Sequence, residues 1–281
     1  MKKGIRGHDV SAKGLEKIVS RCKALGYTEL QLVLERSAEG FESGRFTEKY
    51  AYELKEKAKG IHIAVLGSYI NPSATGKEEI EKELKKFKEK ILYAQVLKPD
   101  VVGTETGFYG ATMSDESNDT EEAYQYLLKN MKELVAEAER YDVNIGIEGV
   151  HCFVINSPEK MKRLIRDLNS SNVKVIFDPL NYLTERNYEK QDEIISKMFE
   201  LLNDRIAVLH AKDFIIENGK IKPAMIGSGM LNYQLIFDNL KKYNLDIPII
   251  AEGIDDEAAM IGLQKVDSEF GNISHMCSTD G

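Results

Sequence analysis

The sequence predicts an α/β protein, a single (β/α)8 TIM-type barrel over residues 1–281. Three observations predict it. Short apolar segments alternate with longer amphipathic ones along the whole chain, the pattern of repeated βα units around a parallel sheet. Eight of each can be read. No Pro/Ser-rich linker divides the chain, and its 281 residues suit one barrel of typically about 250. An open doubly wound sheet is the competing architecture. It would bring a Gly-rich dinucleotide turn after strand one, and none is present.

Strand one lies within Gly4–Asp9, and the helix after it, 12–25, is stopped by Gly26. Strand two covers 29–34. The polar stretch 35–47 is long for a βα loop and is expected to cover the site. A helix over 47–59, ended by Gly60, leads to strand three at 61–66 and the punctuated loop Gly67–Pro72. The helix over 77–97 carries a Glu/Lys face, read as solvated surface. Strand four is 101–104, followed by a helix over 120–141 and strand five ending at Glu148. Ser157-Pro158 opens the next helix as cap and first-turn residue. Strand six ends at Asp178-Pro179, a helix follows over 188–202, and strand seven ends near His210. Asn218-Gly219 marks a small hairpin within 214–221. A helix over 233–243, strand eight at 247–251 and a helix over 255–264 complete the repeat. The polar Gly/Ser-containing tail, 264–281, is expected to be loosely ordered.

Composition narrows the function. A net charge of −8 disfavours a general polyanion binder, so no nucleic acid partner is expected. No apolar run approaches the roughly 20 residues of a membrane span. Met1–His8 begins with charge but no long apolar region follows, so no secretory signal is expected. Cys22, Cys152 and Cys277 are odd in number and fit no zinc spacing, and they read as reduced thiols of a cytoplasmic protein.

The chemistry gathers at strand ends. Ile206–Leu209 runs into His210-Ala211-Lys212-Asp213, and three other apolar runs end in Glu148, Asp178 and Glu252. These four are 30, 32 and 42 residues apart, about one strand-plus-helix repeat. Functional residues of a parallel barrel sit at the C-terminal ends of its strands. Two Glu, one Asp and one His meeting on that rim make a site for one divalent metal. Lys212 and Asp213 read as a structural or outer pair beside it, with Lys212 also able to hold a phosphate, as are Arg36, Arg45 and Arg186. His8, at the end of strand one, and Glu105, after strand four, are further candidates for substrate contact. His62, within strand three, reads either as a hydrogen-bonded interior histidine or as a substrate contact. Tyr69, Phe108 and Tyr109 could stack on a bound ligand or simply pack.

In their order Glu148, Phe177-Asp178-Pro179, His210-Ala211-Lys212-Asp213, Ile226–Gly229 and Ala251-Glu252-Gly253 resemble the xylose-isomerase-like TIM-barrel superfamily of sugar and sugar-phosphate isomerases and epimerases. The resemblance covers almost the whole chain in element order. For keto-sugar 3-epimerases of this group it implies a Glu, Asp, His, Glu set that binds Mn²⁺, with Mg²⁺, Co²⁺ or Zn²⁺ as alternatives. It implies catalytic roles for Glu148 and Glu252, which exchange the substrate proton, and a substrate contact at Asn181, where those epimerases carry His. It is also compatible with a homo-oligomer, although no interface is legible. Where an Arg is expected six residues beyond the metal histidine, this chain has Ile216.

Epimerisation beside a carbonyl removes a weakly acidic proton and returns it on the other face. A metal stabilises the enediolate, and a carboxylate on each side serves as base and acid in turn. The expected partner is therefore a small sugar or sugar phosphate. Alternative readings are a dehydratase of an inositol-like substrate and, at greater distance, an endonuclease IV-type repair enzyme, which 62–71 faintly resembles. That enzyme needs three metals, and its other ligand positions hold Asn181 and Ile221-Lys222-Pro223 here. A non-catalytic sugar-binding barrel is the alternative from another class.

Overall fold

A computed structural model describes residues 1–271. Eight parallel strands close into a barrel: β1 (Lys2–Arg6), β2 (Glu29–Leu32), β3 (His62–Gly67), β4 (Val101–Glu105), β5 (Ile145–Glu148), β6 (Val173–Phe177), β7 (Ile206–Ala211) and, after the hairpin described below, β10 (Pro248–Ala251). β1 pairs with both β2 and β10, which closes the ring.

Helices return the chain between strands and cover the barrel: α1 (Leu15–Leu25), α2 (Leu34–Ser37), α3 (Glu48–Lys57), α4 (Lys77–Leu97), α5 (Glu121–Arg140), α6 (Pro158–Leu168), α7 (Gln191–Leu202), α8 (Tyr233–Lys242) and α9 (Asp256–Val266). Five of them start where a side-chain oxygen accepts free backbone N–H groups. Thr47, Thr120, Ser157, Asn232 and Asp255 each do this. Gly26 ends α1 at φ 89°, a left-handed conformation open to glycine at no steric cost.

The expectations differ from the structure at three places. The stretch 35–47 is not loop throughout, because α2 occupies its start. The hairpin is longer than expected: β8 (Asp213–Glu217) and β9 (Lys220–Ala224) pair antiparallel across Asn218 and Gly219, both at positive φ as a two-residue I′ turn requires. The tail expected to be loose from 264 is helical to Val266, which is fully buried, and continues as a π turn over Asp267–Gly271. The rest of that tail, with Cys277, lies outside the described residues. Cys22 and Cys152 are free thiols. Among the described residues no helix is long and apolar enough to cross a membrane.

The barrel interior fixes where the site lies. Val65, Val101, Ile176, Val208 and Ile250 form a small buried apolar plug. Gly103 and Gly146 leave the room that Ile176 fills; a Cβ on either would come within 2.9 Å of that side chain. Side chains two residues apart on a strand share a face. Two residues above Gly103, Gly146, Ile176, Val208 and Ile250 stand Glu105, Glu148, Asp178, His210 and Glu252. Alternation therefore sets the polar residues as a layer directly above the plug.

Candidate metal centre

Glu148, Asp178, His210 and Glu252 each offer one ligand atom, and these atoms all lie within 4.8 Å of one another. His210 Nδ1 is 3.2 Å from Glu148 Oε1, 3.1 Å from Glu252 Oε2 and 4.0 Å from Asp178 Oδ2. The first three residues are buried and Glu252 nearly so. Asp178 Oδ1 is used by the backbone, accepting from the N–H groups of Leu180 and Asn181 at 2.9 and 3.2 Å. Its Oδ2 is left for the cluster.

Gln31, on β2, settles the histidine. Its Oε1 lies 2.8 Å from His210 Nε2, and its amide nitrogen donates to the Tyr69 hydroxyl at 2.7 Å. With Nε2 as donor to Gln31, Nδ1 is the nitrogen facing the carboxylates. A ligating histidine is commonly oriented in this way by its second nitrogen.

Two cations enter the same layer. Lys212 Nζ is 2.8 Å from Asp178 Oδ2 and 3.2 Å from Glu252 Oε2, and it donates to Asn181 Oδ1 at 3.3 Å. Arg6 forks between Asp9, at 2.7 and 3.0 Å, and Glu252. Despite these charge contacts, Asp178 Oδ2 and Glu252 Oε2 are buried and receive no aligned hydrogen bond. Buried carboxylate oxygens without donors are costly unless something else satisfies them. Three carboxylates and one imidazole with two such oxygens fit a divalent cation of the Mg²⁺, Mn²⁺ or Zn²⁺ kind.

Without an ion the protons respond strongly. Burial alone would lower the His210 pKa, but Glu148 and Glu252 outweigh it and push it up to about 10. Burial raises the Glu148 pKa despite the nearby histidine. Burial acts in the same direction on Glu252, but His210, Lys212 and Arg6 overcome it and hold that carboxyl well below the usual range. Glu105 is pushed up to about 7 by burial and then by Glu148 and Glu252.

Above the cluster opens a cavity of about 380 Å³, within the range of small-ligand sites. Its walls include Arg6, His8, Gln31, Glu105, Glu148 and Glu252.

The xylose isomerase-like TIM barrel family matches residues 19–269. The chain belongs to that family. Among curated proteins it is similar to the D-psicose 3-epimerase of Enterocloster bolteae, at 23% identity over 232 residues, 78% of this chain and 74% of that one. Among solved structures it is similar in fold to a D-tagatose 3-epimerase-like protein, with a TM-score of 0.76, 19% identity and coverage of 96% and 98% of the two chains. The IolI protein with a bound zinc atom gives a TM-score of 0.75 at 15% identity, covering 97% of this chain and all of that one.

Of the residues anticipated around the four ligands, Asn181 lies within the layer, and its amide donates to Glu148 Oε1 at 2.6 Å. His8 and Glu105 line the cavity. Lys212 and Asp213, read as one pair, divide. Lys212 lies inside the cluster, whereas Asp213 is buried and accepts from the N–H groups of Phe214, Gly229 and Leu231 at 2.8–3.0 Å, holding the hairpin and the glycine loop together. His62 is a correction. It begins β3, half-exposed at the opposite end of the barrel, and meets Asp100 at 2.9 Å. It stands at the N-terminal end of β3, whereas the layer above the plug lies beyond the C-terminal ends of the strands, so the ring sits at the foot of the barrel. Tyr109 bonds Glu122 on α5, while Tyr69 joins the site through Gln31. Arg6 and Gln31 were not anticipated. The available signal was position: Arg6 ends strand one two residues after the inward Gly4, and Gln31 is a lone amide in the apolar strand two.

Proposed function

We propose that the protein is a divalent-metal-dependent sugar isomerase or epimerase, moving a proton at a carbon adjacent to a carbonyl. The observation that carries this reading is the placement of two glutamates around one cavity. β6 and β7 separate β5 from β10 in the ring, so Glu148 and Glu252 approach a ligand from different sides. A carboxylate on each side of a carbon can take its proton on one face and return it on the other. Similarity to a D-psicose 3-epimerase and to a D-tagatose 3-epimerase-like fold supports the same chemistry.

Each residue then has a task. Glu148, Asp178, His210 Nδ1 and Glu252 would hold the ion, with Mn²⁺ as the first choice and Mg²⁺, Co²⁺ or Zn²⁺ as alternatives. When bound, the ion supplies Lewis-acid stabilisation to the negative charge that grows on the carbonyl oxygen. Glu148 and Glu252 alternate as base and acid. Asn181 and Lys212 hold the carboxylates and face the reacting end of the substrate, and Glu105 and His8 contact it from the cavity wall. Among the described residues one ligand cluster is found, which favours a single metal over the three of a repair endonuclease.

The test is proton exchange. Metal-loaded protein is incubated with a panel of ketoses and their phosphates in heavy water, and deuterium at the carbons flanking the carbonyl is followed by NMR. Exchange is expected for at least one substrate and is expected to vanish in Glu148→Gln plus Glu252→Gln. Exchange that survives the double substitution would sink the mechanism. Loss of water from the product would reassign the chemistry to a dehydratase.

A further inference from the structure

The cavity above the metal centre is electrically polarised. Its metal side, at the ends of β4, β5 and β10, carries Glu105, Glu148 and Glu252. The wall across the mouth, from α2 after β2 and from α4 after β3, carries Glu35, Arg36 and Lys86. His8 lies beside this wall, on the turn after β1.

Most charges there are already compensated. Glu35 pairs at 2.6 Å with Lys90, which is fully buried. Lys86 pairs at 2.6 Å with Glu83, whose other oxygen accepts from the Asn71 N–H. Arg6 is taken by Asp9 and Glu252. Arg36 is different. Its guanidinium is exposed on the cavity wall and makes no ion pair or side-chain hydrogen bond among the described residues. Beside it, both ring nitrogens of His8 are buried without a hydrogen-bond partner. In either neutral tautomer one of them is an N–H donor. The Arg36 charge is near enough to help lower the His8 pKa, after burial and Arg6. Ser68, also on the wall, is buried and its hydroxyl has no hydrogen bond among the described residues. An uncompensated guanidinium, an unpartnered imidazole and a free hydroxyl form a donor set without an acceptor.

The wall is also built to stay in place. The Glu89 carboxylate accepts from the Gly44 N–H at 2.8 Å and from the Ser43 hydroxyl at 3.2 Å, and Lys90 holds Glu35. These contacts pin α2 and the segment after it onto α4.

From this arrangement we infer that the substrate is an anionic sugar whose terminal phosphate or carboxylate is received by Arg36, His8 and Ser68, while its carbonyl end faces the metal centre. The inference rests on the sugar reading of the site and narrows it to one substrate class. Guanidinium binding to a phosphate or carboxylate gives strong, bidentate hydrogen bonds. Such an end group would satisfy His8, give Arg36 its counter-charge and fix which carbon lies between Glu148 and Glu252.

The test compares three ligands of one skeleton, D-fructose, D-fructose 6-phosphate and D-fructuronate, by calorimetric titration of the Mn²⁺-loaded protein. At least one anionic ligand is expected to bind about tenfold or more tighter than fructose. The two anionic arms tell phosphate from carboxylate. Arg36→Gln is expected to reduce that preference about tenfold, and Arg36→Lys to recover part of it; the residue is exposed, so both variants should fold. Equal affinity for all three, no measurable binding of either anionic ligand, or a preference unchanged in Arg36→Gln overturns the inference. Its failure is separable from failure of the proposed reaction. Deuterium exchange on neutral ketoses without anion preference removes this inference alone, whereas Arg36-dependent anion binding without any exchange removes the reaction alone.

Discussion

Gln31 Oε1 accepts from His210 Nε2 at 2.8 Å, and this one contact turns Nδ1 toward Glu148 and Glu252. Tyr69 holds the amide from the far side. Outer partners of this kind typically change metal affinity by about 10–100-fold when removed. Gln31→Ala is therefore expected to weaken Mn²⁺ or Zn²⁺ binding within that range, with Tyr69→Phe giving a smaller loss. Calorimetric metal titration checks both, and an affinity untouched by Gln31→Ala would mean that the histidine needs no such support.

Glu148→Gln and Glu252→Gln, taken singly, are expected to slow substrate proton exchange by about 10²–10⁴-fold. Each change also neutralises one charge in a crowded buried layer, so the fold should survive. Exchange rates by NMR, beside thermal unfolding, separate lost chemistry from lost structure. A variant with normal exchange would take that glutamate out of the reaction.

Lys212 stands 2.8 Å from Asp178 Oδ2 and 3.2 Å from Glu252 Oε2, and in the absence of an ion it shares those oxygens with His210. Removing one partner of a buried pair typically costs about 3–5 kcal/mol. Because the Lys212 side chain retains some exposure, a loss of about 2–3 kcal/mol is expected for Lys212→Met without metal, with most of it regained on adding Mn²⁺. Denaturant melts with and without the ion test this. Equal losses in both conditions would separate Lys212 from the metal centre.

The metal-free protein should weaken in alkali. His210 has a folded pKa of about 10 against an ordinary 6.5, so folding favours its protonated form. The stability this provides is fully present below pH about 6.5 and is lost as the pH rises through about 10. A ligating imidazole must be neutral, so metal binding at pH 8 should release a proton from His210. Melting temperatures from pH 6 to 10 test the first statement. Titrations in buffers of different ionisation enthalpy test the second, and a metal-binding heat independent of buffer would contradict it.

Asp213 tests a different part of the molecule. Its carboxylate satisfies three backbone N–H groups, those of Phe214, Gly229 and Leu231. A buried donor left without its acceptor costs about 1–3 kcal/mol. Asp213→Ala is expected to destabilise the protein by roughly 3 kcal/mol or more, measured by chemical denaturation, with Asp213→Asn losing less. A change within ±0.5 kcal/mol would show that water replaces the carboxylate freely.

The sequence by itself determined the barrel and the four ligand candidates, and the reason is periodicity. Strand runs such as Ile145–Glu148 and Ile206–Ala211 are apolar because both faces are covered, so the first polar residue at each end marks the rim. Repeat spacing then groups Glu148, Asp178, His210 and Glu252 without knowledge of any contact. Tertiary structure decided what one-dimensional spacing cannot express. Arg6 and Gln31 enter the site because closure of the ring brings β1 against β10 and β2 across from β7. His62 leaves it because a strand has two ends, and the ring stands at the N-terminal end of β3, at the foot of the barrel, while the site gathers at the C-terminal ends. Lys212 separates from Asp213 because neighbours on an extended chain point in opposite directions, one into the carboxylates and one beneath the hairpin.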